Sequence, residues 1–163
     1  MLKDTVQKAL NAQINAEMYS AYLYLSMAAH FDAANLGGFG HWMRAQAREE
    51  LGHAMKLFDY VNERGGRVAL EAIAQPPAAF GKPLDAFRQA LAHEQHISAS
   101  IHELYGLAVR EQDYPTEIML QWFVQEQVEE EAHTGAIVAQ LEMVGDHPAS
   151  LLVMDRQLAA RAG

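Results

Sequence analysis

Residues 39–64 read FGHWMRAQAREELGHAMKLFDYVNER, and this stretch decides the fold. Its Ala, Leu, Met, Glu, Gln and Arg residues favour a helix. Positions three and four residues apart form one helix face, which reads Phe39, Met43, Gln46, Glu50, His53, Leu57 and Tyr60. Glu50 and His53 therefore lie on the face expected to be buried, with apolar residues on both sides. A carboxylate and an imidazole one turn apart in a core are typical of a di-metal site in a helix bundle.

Three further segments of similar composition surround this one. They run from about 4 to 33, 84 to 111 and 115 to 144, and a shorter fifth segment runs from about 148 to 161. Clusters of Gly, Pro, Asn and Asp separate the segments, and none shows a sustained alternation of β-branched residues. We therefore predict an all-α protein that forms a single domain over residues 1–163, with a four-helix bundle over about 4–144.

The connections between the segments predict the topology. The first and third connections are short, so the helices that they join should be antiparallel neighbours. Residues 66–83 form a longer connection, which can extend to about 59 Å, whereas the second helix is only about 39 Å long. We therefore predict one crossover, between the second and third helices, that runs the full length of the bundle.

Each of the four long helices carries a carboxylate where its buried face should be apolar. The four residues are Glu17, Glu50, Glu94 and Glu130. Burying an isolated carboxylate is costly, and no Lys or Arg lies on any of these faces to compensate. Two Fe(II) ions would balance the four charges, with His53 neutral. A buried polar network without metal is the alternative interpretation.

The spacing of these residues repeats between the two halves of the chain. From the first acid of each half, the paired positions follow after 33 and 36 residues: Glu17 with Glu50 and His53, and Glu94 with Gln127 and Glu130. The pair Glu130 and His133 matches the Glu-x-x-His motif by letter, but it breaks the repeat by three positions. We therefore prefer Gln127 and Glu130, and keep His133 as the alternative.

Composition restricts the chemistry further. The absence of Cys excludes disulfides, thiolate catalysis, Cys-ligated zinc and iron–sulfur clusters. A net charge of -9 disfavours binding of nucleic acid and favours binding of cations.

The hydropathy of the chain bears on its location. No apolar run is long enough to span a membrane, and the first residues, MLKD, lack the apolar region of a signal peptide. We therefore expect a cytoplasmic protein without nucleic-acid or membrane partners.

Three segments closely resemble prokaryotic non-haem ferritins. They are residues 15–24 (NAEMYSAYLY), 48–53 (REELGH) and 121–131 (QWFVQEQVEEE). The similarity extends over nearly the whole chain, including the crossover and the short last helix. It implies a ferritin-like four-helix bundle and an iron-storage subunit that oxidises Fe(II) with O2 or H2O2 at a di-iron ferroxidase centre.

The resemblance also implies the ligands of that centre. One iron would be bound by Glu17, Glu50 and His53, and the other by Glu50 as a bridge, Glu94 and Glu130. Gln127 would be a weak ligand or would support the ligands. Tyr24 corresponds to a tyrosine that in this family lies beside the centre and can take part in electron transfer.

A third iron position near the inner surface follows from the same resemblance. Its ligands would be Glu49, Glu126 and Glu129, with Glu130 shared between the two sites. Glu126 stands one turn before both Glu129 and Glu130, so such a cluster is geometrically reasonable. The alternative is a solvated acidic face without metal.

The resemblance implies assembly as well. Ferritin subunits form hollow shells of twenty-four, and the fifth helix carries apolar residues with no place in a four-helix core: Leu151, Leu152, Met154 and Leu158. We expect them to form an exposed patch that binds other subunits. Leu51 stands where a bacterioferritin would have its haem-ligating Met, so we expect no haem.

Two other functions fit the same residues less well. One is a metal-storage shell whose carboxylates bind Zn(II) or other divalent ions without turnover. The other is a di-iron enzyme that acts on an organic substrate. The compact length and the large residues on the buried faces argue against the pocket that this second function requires.

Overall fold

The computed structural model describes residues 1–163 and contains five α-helices and no strand. Their bounds are α1 Asp4–Ala33, α2 Gly37–Glu63, α3 Pro83–Arg110, α4 Tyr114–Val144 and α5 Pro148–Leu158. The predicted all-α fold is confirmed, and the four long helices begin and end within two residues of the predicted positions. The last helix ends three residues earlier than predicted, so residues 159–161 lie beyond it. No helix combines the length and the apolar character that a membrane crossing requires.

Local sequence signals explain where several helices begin. Asp113 caps α4 by accepting a hydrogen bond from the Thr116 amide at 3.3 Å. At the start of α3, the Asp85 carboxylate accepts a hydrogen bond from the Lys82 amide at 3.1 Å. Helices α3, α4 and α5 each have a Pro in the first turn, where a missing amide hydrogen costs nothing.

The connection between α2 and α3 runs along α1, as predicted. Polar side chains of α1 donate hydrogen bonds to its backbone carbonyls in sequence order: Asn11 to Arg67 at 3.0 Å, Asn15 to Ala72 at 3.1 Å, Ser26 to Pro77 at 2.6 Å and His30 to Gly81 at 2.8 Å. The contacts span residues 11–30 of α1. The crossover therefore covers most of the length of the bundle and joins the α1–α2 pair to the α3–α4 pair.

The interior consists of two apolar clusters on either side of a polar layer. The first cluster includes Tyr24, Met27, Phe31, Phe39, Met43, Phe87 and Leu141. The second includes Leu10, Ile14, Leu57, Ile97, Ile101, Leu120 and Phe123. Each cluster draws residues from all four long helices. The polar layer therefore crosses the bundle near the middle of each long helix, which is where the four carboxylates lie.

Helix α5 packs against the start of α2. The Asp155 carboxylate accepts hydrogen bonds from the amides of Gly38 at 2.8 Å and Phe39 at 3.0 Å. Met154 is only 4% exposed and joins the first apolar cluster. The other large apolar residues of α5 differ in exposure. Leu151 and Leu158 are partly buried against that cluster, whereas Leu152 and Val153 are 53% and 55% exposed.

This packing corrects one expectation. We expected all four apolar residues of the fifth helix to be free for contacts with other subunits, but three of them are used within the chain. The sequence could not reveal this, because the apolar cluster that buries Met154 forms only when α2 and α4 pack together. The large apolar side chains of α5 that remain exposed are consequently Leu152 and Val153.

Candidate metal centre

Five buried side chains from the four long helices meet in the polar layer. They are Glu17 on α1, Glu50 and His53 on α2, Glu94 on α3 and Glu130 on α4, and each is 5% exposed or less. They form two groups that could each hold a metal ion, since the ligand atoms within a group lie within 4.8 Å of one another: Glu17 with Glu50 and His53, and Glu50 with Glu94 and Glu130. Glu50 belongs to both groups, so its position suits a bridging carboxylate.

The first group, formed by α1 and α2, contains one carboxylate oxygen without a donor. Glu17 accepts a hydrogen bond from Gln13 through Oε1 at 2.9 Å, but its buried Oε2 has no hydrogen-bond partner. Nδ1 of His53 lies 3.1 Å from Oε2 of Glu50. A buried oxygen without a partner is costly, and a bound cation would satisfy it.

The second group, formed by α3 and α4 with Glu50, is more fully hydrogen-bonded. The Tyr24 hydroxyl donates to Oε1 of Glu94, and Nε2 of Gln127 donates to Oε2 of the same carboxylate at 3.1 Å. Gln127 is buried in the layer, whereas His133 is exposed on the surface of α4. Of the two alternatives that the sequence left open, the structure therefore brings Gln127, and not His133, to Glu94.

Gln46 links the two groups. Its Nε2 donates to Oε1 of Glu50 at 2.9 Å and to Oε2 of Glu130 at 2.7 Å. One amide group therefore fixes a carboxylate on α2 and a carboxylate on α4 at the same time. We placed Gln46 on the buried face of α2 but assigned it no part in the site. Its position four residues before Glu50 on that face was the signal that could have identified it.

Burial and mutual repulsion raise the pKa values of three of the carboxylates. Burial, with the added charge of Glu50, raises the pKa of Glu94 to about 8 and that of Glu130 to about 7. The same two causes raise the pKa of Glu17 well above its ordinary value. These directions agree with the repulsion expected among carboxylates in a core without metal. Near neutral pH, Glu94 therefore holds a proton until a cation replaces it.

Glu50 and His53 behave as an ion pair. Burial opposes both charges, but the hydrogen bond and the attraction between the two groups outweigh it. The pKa of Glu50 is consequently lowered, and that of His53 is raised to about 9. A metal ion that binds both residues must therefore displace the proton of the imidazole.

A second cluster of acids lies beside the centre, in a pocket of about 440 Å³ that we call the acidic pocket. It is lined by Glu49, Glu126, Glu129, Glu130, His133, Arg161, Trp42, Ala136 and Ile137. Glu126 also faces the centre, with Oε1 3.7 Å from Nε2 of His53. The residues predicted for a third iron position are thus neighbours, but Glu49 is already paired with Arg161 at 2.7 Å.

The family model for the ferritin-like domain matches residues 7–144. The chain belongs to the ferritin family. This ferritin is 41% identical over 161 residues to the bacterial non-heme ferritin of Bacteroides fragilis (strain 638R). The alignment covers 99% of this chain and 100% of that relative. It is 42% identical over 158 residues to the bacterial non-heme ferritin of Campylobacter jejuni, covering 97% and 95%.

Among solved structures, an open-pore ferritin from the hyperthermophilic archaeon Archaeoglobus fulgidus matches this ferritin with a TM-score of 0.98. The two are 50% identical, and the match covers 99% of this chain and 100% of the other. The predicted family and the predicted four-helix fold are both confirmed. As a member of this family, the ferritin is an iron-storage subunit, and the buried Glu and His groups are suited to hold the metal.

One residue of this ferritin near the centre was missed entirely in the sequence. Arg161 lies beyond the end of α5, where no helix periodicity constrains it. It nevertheless donates hydrogen bonds to Oε1 of Gln46 at 2.9 Å and to Oε2 of Glu49 at 2.7 Å. No sequence signal pointed to this contact, because it joins positions more than a hundred residues apart.

Proposed function

We propose that this ferritin oxidises Fe(II) at the buried di-metal centre and stores the Fe(III) product as mineral inside a shell of identical subunits. The observation that carries the proposal is the layer of four carboxylates, one from each long helix, without a Lys or Arg bonded to any of them. Carboxylate oxygens and one imidazole bind Fe(II), and they bind the harder Fe(III) ion more strongly. Such a ligand set favours loss of an electron from the metal.

The two groups of ligands would bind the two iron ions of the substrate. Glu17, Glu50 and His53 would bind one ion, and Glu50, Glu94 and Glu130 the other. The four carboxylate charges then balance two Fe(II) ions. Oxidation of both ions releases two electrons, which with two protons reduce O2 to H2O2, or reduce H2O2 to two molecules of water. Hydrogen bonding by the Tyr24 hydroxyl keeps Glu94 oriented toward the centre, and Tyr24 is also our candidate for electron transfer.

The remaining features of the proposal concern the fate of the product. Fe(III) would leave the centre through the acidic pocket, where Glu126, Glu129 and Glu130 lie together and Glu49 borders them. We propose that the shell contains twenty-four copies of this single-domain subunit, carries no haem and is cytoplasmic. The exposed residues Leu152 and Val153 of α5 would contribute to contacts between subunits.

A double variant tests the oxidation step. Glu50→Ala with His53→Ala removes the bridging carboxylate and the imidazole, and Glu71→Ala with His102→Ala removes the same two residue types from exposed positions. Each protein is loaded with Fe(II) without oxygen, oxygen is then admitted, and the ferric absorbance and the particle size are followed. We expect the first variant to oxidise Fe(II) no faster than buffer and the control to match the parent.

The same experiment separates the proposal from its rival. If the Glu50→Ala, His53→Ala variant assembles normally and oxidises Fe(II) as fast as the parent, the proposed centre is wrong. If the parent takes up Fe(II) but develops no ferric absorbance above the buffer rate, the protein is a metal-storage shell without oxidase activity. Ferric absorbance that depends on both residues supports the proposal.

A further inference from the structure

The three residues that end the chain, Arg161–Gly163, fold back onto α2. The His41 ring N–H donates to the backbone carbonyl of Arg161 at 2.7 Å, and the Arg48 guanidinium donates to the carbonyl of Gly163 at 2.6 Å. Upstream of this segment, Asp155 binds the first turn of α2. None of these contacts uses the side chain of Arg161. These contacts therefore hold the backbone of Arg161 beside α2 independently of what its guanidinium contacts.

The Arg161 guanidinium is fixed at the edge of the acidic pocket by four contacts. It donates to Oε2 of Glu49 at 2.7 Å, to Oε1 of Gln46 at 2.9 Å and to the carbonyl of Trp42 at 3.2 Å. It also lies over the Trp42 ring, with 4.4 Å between the guanidinium carbon and the ring centroid. Its side chain is only 19% exposed. An arginine bound at several points in this way has one preferred position.

The charge of this side chain distinguishes it from its surroundings. Four carboxylates line the pocket, and Arg161 is the only Lys or Arg among the lining residues. Its ion pair uses the carboxylate of Glu49, whereas Glu129 and Glu130 have no Lys or Arg partner. The guanidinium thus places positive charge beside Glu49, one of the four carboxylates predicted to bind a third iron ion.

We propose that Arg161, held in place by its backbone contacts, is the counter-ion of Glu49 and prevents metal from binding on the Glu49 side of the acidic pocket. A cation that binds there must displace the guanidinium from the carboxylate, so Arg161 weakens the third metal position and limits how long Fe(III) stays beside the centre. The inference rests on the proposed function in one respect, because it assumes that the pocket receives iron from the di-metal centre. Arg161 is a positioning residue, since it touches neither the five ligands nor the reacting atoms.

The contact with Gln46 extends the effect of Arg161 to the centre itself. Because the amide oxygen of Gln46 accepts from Arg161, its NH2 group is turned toward Glu50 and Glu130. Displacement of the guanidinium by a cation in the pocket would remove the partner that holds this orientation. Occupation of the pocket and the geometry of two carboxylates in the centre are therefore coupled through one amide.

Binding of Tb(III), a hard trivalent ion detected through sensitised emission from Trp, tests the inference without any redox step. The assembled parent is compared with Arg161→Gln and with Arg156→Gln, a control that removes an exposed arginine of α5. We expect the weakest Tb(III) site to tighten about tenfold or more in Arg161→Gln, the size expected when a hydrogen bond to a charged group no longer competes. Arg156→Gln should match the parent.

A double-variant cycle with Glu49→Gln shows whether the effect is direct. We expect Arg161→Gln to produce no gain in the Glu49→Gln background. A gain that persists there would overturn the inference, because it would reflect the loss of positive charge in general. An unchanged weakest site in an Arg161→Gln protein with parent-like circular dichroism and melting temperature would also overturn it.

A second variant covers the case in which Arg161→Gln does not fold. A chain that ends at Ala160 lacks the guanidinium but keeps the contacts of Asp155 with α2, and it should show the same gain in affinity. The tighter Tb(III) sites report on the di-metal centre. Their absence from the parent would contradict the proposed function, whereas their presence with no effect of either variant would contradict only the inference on Arg161.

Discussion

Gln127 donates a hydrogen bond from Nε2 to Oε2 of Glu94 at 3.1 Å. In the repeat of 33 and 36 positions, Gln127 is the counterpart of Glu50. An amide in one half of the chain therefore stands where the other half has the carboxylate that we propose as the bridge. The two halves of the centre are consequently unequal. Each half holds two carboxylates, but the half with the amide has no imidazole. Its Glu94 is hydrogen-bonded through both oxygens.

Replacement of Gln127 by Glu should destabilise the metal-free protein. The variant loses the donor to Glu94 and adds a fifth buried carboxylate beside it, so we expect a loss of about 1–3 kcal/mol in the free energy of unfolding. Zn(II) should restore most of that loss, because a cation satisfies both carboxylates. Thermal unfolding with and without Zn(II) measures the effect. Gln125→Glu, at an exposed position of the same helix, should leave the metal-free protein unchanged, and equal melting temperatures for the two variants would contradict the prediction.

Metal loading near pH 7 should release protons from the centre. The pKa of Glu94 is raised to about 8 and that of His53 to about 9, so both groups hold a proton at pH 7 and must lose it to bind metal. Titration of the apoprotein with Zn(II) in a pH-stat should show this release. Glu94→Gln should release about one proton fewer, since its amide has none to lose. Equal release from the parent and the variant would show that Glu94 is ionised before metal binds.

The raised pKa of Glu94 also predicts how the stability of the apoprotein depends on pH. A carboxyl whose folded pKa exceeds its unfolded value favours the folded state below the unfolded pKa of about 4.5, and this advantage is lost as the pH rises to about 8. The apoprotein should therefore lose stability between pH 5 and pH 8, and Glu94→Gln should lose less. Urea unfolding across that range measures how the free energy of unfolding of each protein changes with pH. An equal change in the parent and in Glu94→Gln would rule out the raised pKa of Glu94.

Removal of the Tyr24 hydroxyl should weaken metal binding in the second group of ligands. The hydrogen bond from Tyr24 favours the charged form of Glu94, so Tyr24→Phe should make that proton harder to displace. We expect Zn(II) to bind there about tenfold more weakly at pH 7, with a smaller difference at pH 9. Calorimetry at both pH values tests this, with the exposed Tyr22→Phe as control. A difference that does not depend on pH would point to direct distortion of the site.

Two adjacent glycines should differ sharply in their tolerance of a side chain. A Cβ atom at Gly38 would lie 1.6 Å from the backbone oxygen of Asp155, whereas a Cβ at Gly37 would meet nothing within 4 Å. Gly38→Ala must therefore push α5 away from α2 at a cost of about 1–3 kcal/mol or more, and Gly37→Ala should leave the contact intact. Amide hydrogen exchange of residues 150–158 and the melting temperature report the change. Slow exchange in Gly38→Ala would mean that α5 stays docked.

The sequence was sufficient for the features that follow from helix periodicity. Because every third or fourth residue shares a face, the positions of Glu17, Glu50, Glu94 and Glu130 on their helices were enough to bring them to one layer. The repeat of 33 and 36 positions also selected Gln127 over His133, and the structure places Gln127 in the interior. These residues could be predicted because regular helices leave little freedom in where a side chain points.

Contacts that the last helix and the residues after it make with the bundle could not be predicted in the same way. Arg161 reaches Glu49 across 112 positions of sequence, from residues that follow the last helix. The burial of Met154 likewise depends on how α5 docks at the end of the bundle. Periodicity describes each helix separately, and it contains no information on where a tail after the last helix folds back.

The two apolar clusters and the polar layer between them have a consequence for the lifetime of the protein. Each cluster joins all four helices at one end of the bundle, so the cross-section in the middle, where acids repel one another in the apoprotein, should open most readily. Ions bound across that section favour the closed state by mass action. A subunit without bound metal should consequently be cleaved by proteases faster than a subunit with metal bound across this section.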